Sequence, residues 1–273
     1  MTASLLVDGH VHFHRCFTWK PFLESASVNF AAARREFQMP RETSGYLMLT
    51  ETAGVDSCRA LLSEPGLVRS IGWNVEKRDE LSVVLNRGTD VITIVAGRQI
   101  VTAERLEVLA LGCADTIPDG RPVQEVIRQV SGCGALAVIP WGLGKWWGRR
   151  GRVVRALLDA PDLPRFCLGD NGGRARVWRS PRLFTVARRR GMSVLPGSDP
   201  LPLPSHVTRA GSYGFVLDDW DGPSQPARAI VARIRALKRS PAVFGHLSSI
   251  GSMVRSQVAI RRHRGQSGRQ AVN

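Results

Sequence analysis

The sequence holds little that would staple or anchor it. Its five cysteines, Cys16, Cys58, Cys113, Cys133 and Cys167, are scattered over 273 residues with no Cys-x-x-Cys pair. That argues against both a disulfide framework and a thiolate zinc site. No apolar run approaches the roughly 18 residues a membrane span requires. Residues Met1 to His14 carry neither a basic leader nor a cleavable apolar stretch, so a cytoplasmic protein is expected. No internal repeat and no long Gly/Pro/Ser linker divides the chain. A single domain is therefore expected over residues 1–253, with a basic, flexible tail over 254–273. Disorder as the dominant state is excluded, because 43% of the residues are apolar and 22% charged.

Positive charge is abundant. Lys and Arg total 38 against 23 Asp and Glu, a formal net charge of +15, and lysine occurs only at Lys20, Lys77, Lys145 and Lys238. The arginines are dispersed, with short clusters at Arg149-Arg150-Gly151-Arg152, Arg188-Arg189-Arg190 and Arg261-Arg262-His263-Arg264. Such a balance favours an anionic partner: a phosphate ester, nucleic acid or a membrane surface. Trp146-Trp147 is able to stack bases, but no nucleic-acid-binding motif accompanies it. Nucleic acid stays open as a partner, and a small anionic substrate is preferred.

Apolar runs alternate with amphipathic ones. Strands are expected at Leu5 to Phe13, Tyr46 to Leu49, Ala135 to Ile139, Phe166 to Leu168, Ser193 to Leu195 and Tyr213 to Leu217. Helices are expected at Pro21 to Met39, Asp56 to Glu64, Pro122 to Val130, Arg149 to Leu158, Pro181 to Arg190 and Arg228 to Arg239. Between Leu67 and Cys113 several strand-like runs follow one another, including Ser70 to Val75. Repeated β-then-α units imply a mainly parallel sheet, open or closed into a barrel.

Strong polar groups stand where these strands end. They are His10-x-His12 on the first, then Glu51, Glu107, Asp170 and Asp199. Residues at i and i+2 of a strand share a face, so His10 and His12 can reach one ion, with His14 a weaker third. Carboxylates from other strands would complete a mixed N/O shell for zinc, manganese or iron. The competing explanations are a surface histidine pair and carboxylates that cap turns. Gly142-Leu143-Gly144-Lys145-Trp146-Trp147 places a lysine in a glycine-rich loop without phosphate-loop spacing. Lys145, Arg174 and Trp141 are candidate substrate contacts. His206 is read as a surface histidine able to swing into the site.

Asp8-Gly9-His10-Val11-His12 and Leu195-Pro196-Gly197-Ser198-Asp199 resemble motifs of the PHP (polymerase and histidinol phosphatase) family. The neighbouring amidohydrolases share the first-strand His-x-His and last-strand Asp. The resemblance implies a TIM-like, distorted (β/α)7-8 barrel with metal-dependent hydrolysis, phosphoesters favoured. It also implies dismantling of a multi-metal cluster. Glu51 and Thr52 stand in place of Asp and His, Gln99 in place of a bridging carboxylate, and Glu107, Trp141 and Leu201 in place of His. One divalent ion on His10, His12 and Asp199, with Asp170 near, is what remains. Asp199, Glu51 and Glu107 are the candidates for moving protons. The alternative is a catalytically degenerate barrel that binds a ligand or partner.

Overall fold

The structure, a computed structural model, describes residues 3–77, 79–178, 180–220 and 225–270, with side chains except at 3, 77 and 262–270. The first half contains β1 (Ala3–Val11), α1 (Trp19–Glu36), β2 (Gly45–Leu49), α2 (Ser57–Ser63), α3 (Gly66–Arg69), β3 (Asn74–Lys77), β4 (Ser82–Arg87), β5 (Asp90–Val95), β6 (Gly97–Val101) and β7 (Glu107–Leu111). Then come α4 (Val123–Gly132), β8 (Leu136–Pro140), α5 (Gly148–Leu158), β9 (Cys167–Asn171), α6 (Arg182–Arg189), β10 (Val194–Gly197) and a 3-10 turn, Pro204–Arg209. The chain closes with β11 (Tyr213–Trp220), α7 (Pro226–Arg235), β12 (Val243–Gly245) and α8 (Ile250–Gln270). Helix α8 runs through the segment expected as a tail, and His263 lies outside the described side chains.

The expected closed barrel is not what forms. The strands make two mixed sheets, one of seven strands in the order β12-β11-β1-β2-β5-β4-β3 and one of five, β10-β9-β8-β7-β6. The reason lies in residues 74–111, where the strands follow one another without helices. The β3-β4-β5 meander and the β6-β7 hairpin are antiparallel, so the β-then-α alternation a barrel wall needs is interrupted. The expected strand at Ser70 to Val75 is instead the turn that follows α3 and the start of β3.

The sheets meet at two seams without a continuous ladder. At one, Asp199 N–H donates to His10 O (2.9 Å). At the other, Glu51 N–H donates to Gly97 O and Gln99 N–H to Glu51 O. Alternation along the strands builds three apolar layers. Leu5 and Val7 of β1 face an inner core with Leu109, Val138, Leu195 and Phe215. Leu6 faces the opposite way, towards α1. Helix α1 meets it with Phe22, Leu23, Ala26, Phe30 and Ala33, an amphipathic helix stripe. Helices α4, α5 and α6 cover the outer face of the smaller sheet through Val126, Ile127, Val154 and Phe184. Among the described residues no helix is long and apolar enough to cross a membrane.

Candidate metal centre

The site forms where β1 crosses β10, and two glycines permit the crossing. A Cβ on Gly197 would lie 2.4 Å from His10 N, and one on Gly9 would lie 2.8 Å from Pro196 O. Both distances are inside any normal contact, so a side chain at either position would pry the strands apart.

Asp8 pins the crossing. It is fully buried within the apolar run of β1. Its Oδ1 accepts Ser198 N–H (2.8 Å), and its Oδ2 accepts Ser198 Oγ–H (2.5 Å) and Gly211 N–H (2.9 Å). Burial pushes the Asp8 carboxyl up to about 7, against these donors and His10 N–H, which favour the charged form. Asp199 follows in a left-handed conformation, φ +46°, which Asp tolerates better than most residues.

Three side chains then converge. His10 Nε2 and His12 Nε2 are 3.0 Å apart, and Asp199 Oδ1 lies 3.5 Å and 3.6 Å from them. Four ligands at metal bonds of about 2.1 Å stand roughly 3.4 Å apart at tetrahedral angles. The three separations are close to that edge. The donor chemistry agrees. Burial, and then the neighbouring His10, hold His12 down to about 3, so it is a neutral lone-pair donor at pH 7. Burial pushes the Asp199 carboxyl up, but His10, His12, Lys145 and the hydrogen bond from Asn171 Nδ2 outweigh it, and the net direction is down. Neutral imidazole and ionised carboxylate are the forms that bind metal. The residues present therefore fit one small divalent ion.

The other candidates are engaged elsewhere. The Asp170 oxygens take Arg174 Nε (2.8 Å) and Nη2 (2.7 Å), with Tyr213 Oη–H (2.9 Å) on one of them. Arg174 is thus half of a buried pair rather than a free anion binder. Glu51 Oε1 accepts Ser57 N–H (2.5 Å) and Cys58 N–H (3.2 Å) and caps α2. Asp56 pairs with Arg98. Glu107 opens β7, yet it lies at the edge where its antiparallel neighbour β8 ends, and pairs with Lys145. His14 lies beyond the end of β1 and donates Nε2–H to Pro200 O (2.7 Å), stacked on His12.

His206 is buried rather than on the surface. Its Nδ1 accepts Leu201 N–H (3.0 Å), so Nε2–H faces Ser256 Oγ (3.0 Å) on α8. Burial, then the adjacent Arg209, push its pKa down to about 4.

Three contributors were missed by sequence reasoning. Asp8 carried a signal, since a carboxylate inside an apolar strand requires donors. Asn171 and Arg209 carried none. Arg209 lines a small cavity with Asp199, Asn171 and Trp141, roofed by Met253 and Ser256 of α8. Its Nη2 donates to Gly172 O (3.1 Å) and Ser248 Oγ (2.5 Å), and no ion pair holds it among the described residues. On the other side of the histidines a cleft of about 730 Å³ is lined by His12, His14, Glu51, Thr52 and Pro202.

No family model and no curated protein sequence matches the chain. Solved structures do. PsfC from Pseudomonas syringae PB-5123 superposes with a TM-score of 0.58 at 14% identity, covering 95% of this chain and 99% of PsfC. The lesion-specific endonuclease PfuEndoQ from Pyrococcus furiosus gives 0.51 at 11% identity, over 84% of this chain and 56% of the endonuclease. At these identities the likeness is one of fold alone.

Proposed function

We propose that the chain is a metal-dependent hydrolase that uses one divalent ion, held by His10, His12 and Asp199, on an anionic substrate, with phosphoesters favoured. The observation that carries this is the convergence of three buried or half-buried donor atoms within 4.8 Å of one another. The ion would supply an acidified water and a Lewis acid for the ester oxygen. The chain's residues do the rest. His10 and His12 offer ring nitrogens, that of His12 held neutral by its burial. Asp199 supplies the negative charge and, through its carboxylate, a proton acceptor beside the histidines. Asn171 fixes the Asp199 rotamer. Arg209, and Lys145 from within its pair with Glu107, add positive charge near Asp199 for an anionic group. The large cleft beside His12 and His14 gives the substrate an approach. Hydrolysis of a phosphoester suits the fold shared with the endonuclease.

The same geometry supports a second reading. With Asp170, Glu51 and Glu107 all engaged, three donors remain, and a degenerate domain that binds a ligand without turnover would look the same. Elemental analysis separates them. The hydrolase reading expects about one transition metal per chain, lost from a His10→Ala/His12→Ala variant. No metal in either protein, even after reconstitution with manganese, iron or zinc, would overturn it.

A further inference from the structure

Four of the chain's seven tryptophans gather beside this site, around one pocket of about 350 Å³. Trp141 follows β8, Trp146 and Trp147 precede α5, and Trp178 precedes α6. Trp141 and Trp178 meet edge to face, centroids 6.1 Å apart at 78°, and form one corner. Trp146 is buried against Phe184, and its Nε1 has no hydrogen-bond partner among the described residues. Trp147 is 66% exposed and Trp178 39%. Two large rings left open to water around a concavity mark a surface made to be covered.

The lining selects the occupant. Arg174 is fixed by Asp170, so its guanidinium is a rigid planar wall. Arg182, exposed at the start of α6, has no acidic partner among the described residues. Cations are therefore disfavoured, although an aromatic cage alone would suit a quaternary ammonium. A sugar is disfavoured too, since the lining offers few uncommitted hydrogen-bonding groups. A flat π-system with a negative charge nearby fits the rings, the planar Arg174 wall and the positive charge of Arg182. Trp141 also lines the cavity that contains Asp199, so the pocket adjoins the metal centre.

We propose that the tryptophan pocket binds the nucleobase of a nucleotide, directing its phosphate towards Asp199 and the two histidines. The orientation of the phosphate rests on the hydrolase reading; the stacking of the base does not.

The test titrates the full chain by calorimetry with adenosine 5′-monophosphate, ribose 5-phosphate, a short single-stranded oligonucleotide and choline. It is repeated on Trp147→Ala, Trp178→Ala and Trp147→Phe, with folding checked by circular dichroism. Adenosine monophosphate is expected to bind at least tenfold more tightly than ribose 5-phosphate. Each alanine variant should weaken the nucleotide about tenfold and leave ribose 5-phosphate unchanged, while Trp147→Phe keeps most of the affinity. An oligonucleotide that binds tenfold tighter than the mononucleotide, with the same tryptophan dependence, identifies nucleic acid as the source of the base. Otherwise the source is a free nucleotide.

Equal binding of the two phosphates, equal losses in the variants, no nucleotide binding, or choline binding instead would each overturn the proposal. Nucleotide binding that needs the tryptophans in a protein devoid of metal would leave the pocket standing and the hydrolase reading fallen. Metal lost on His10→Ala/His12→Ala, with no preference for the nucleotide, would do the reverse.

Discussion

Asp8→Ala should destabilise the fold by about 3 kcal/mol. The wild-type carboxylate satisfies Ser198 N–H, Ser198 Oγ–H and Gly211 N–H, all in a buried setting. Alanine leaves these three close donors without a partner, and loses the longer bond from His10 N–H (3.3 Å) as well. An abandoned buried donor costs about 1–3 kcal/mol, so the gross loss is roughly 3–9 kcal/mol. Two effects return part of it: the Ser198 hydroxyl can rotate, and the cost of burying a charge disappears. Asp8→Asn keeps one acceptor oxygen and turns an NH2 towards donors on the other side, so it should lose about half as much. The assay is equilibrium urea denaturation at pH 8, above the raised Asp8 pKa of about 7, so that the wild type is charged. The expected order of stability is wild type, then Asn, then Ala. An Ala variant within 1 kcal/mol of wild type, or Asn no better than Ala, would refute the assignment of Asp8 as the pin of the β1–β10 crossing.

Gly197→Ala puts a methyl 2.4 Å from His10 N, and should cost about 1–3 kcal/mol while weakening zinc binding tenfold or more in a competition titration; unchanged affinity would show that the close crossing does not set the ligand geometry. His206 has a folded pKa of about 4, below its unfolded value of 6.5. Between these values the unfolded chain binds a proton that the folded one refuses. Stability is therefore intact above about pH 6.5 and falls as the pH drops towards 4, by at most about 3 kcal/mol. Urea midpoints between pH 7.5 and 4.5 should fall less for His206→Asn than for wild type, and parallel curves would count against it. Arg174→Ala strands Asp170 beside Tyr213, which should cost about 3–5 kcal/mol in thermal or urea unfolding, whereas a loss under 1 kcal/mol would mean that water repairs the site.

The elements on which the site depends were largely legible. Strand β1 follows from an apolar run, and α1 and α4 from apolar spacing near 3.6, because burial of one face imposes those periods on the sequence itself. The His10-x-His12 pair and Asp199 stood out for the same local reason: strong ligands at strand ends. Closure was not legible. β-then-α units look alike in a barrel and in two sheets, and the β3-β4-β5 meander decides between them through pairing partners far apart in the chain. The fate of each carboxylate was equally hidden. Asp170, Glu51 and Glu107 have similar surroundings in the sequence. Only the fold brings Arg174 and Tyr213 to the first, the start of α2 to the second and Lys145 to the third. His206 shows the limit for a single residue, since its burial depends on Ser256, fifty positions later, coming to lie against it.

The sequence by itself thus determined most of the strands and helices, the excess of positive charge and the ligand types gathered at strand ends, all of which are written in local spacing and composition. The tertiary structure alone decided that His10, His12 and Asp199 meet, that the other carboxylates are engaged elsewhere, and that four tryptophans surround one pocket. Those outcomes depend on which distant segments touch, and contact between distant segments is selected by the packing of the whole chain.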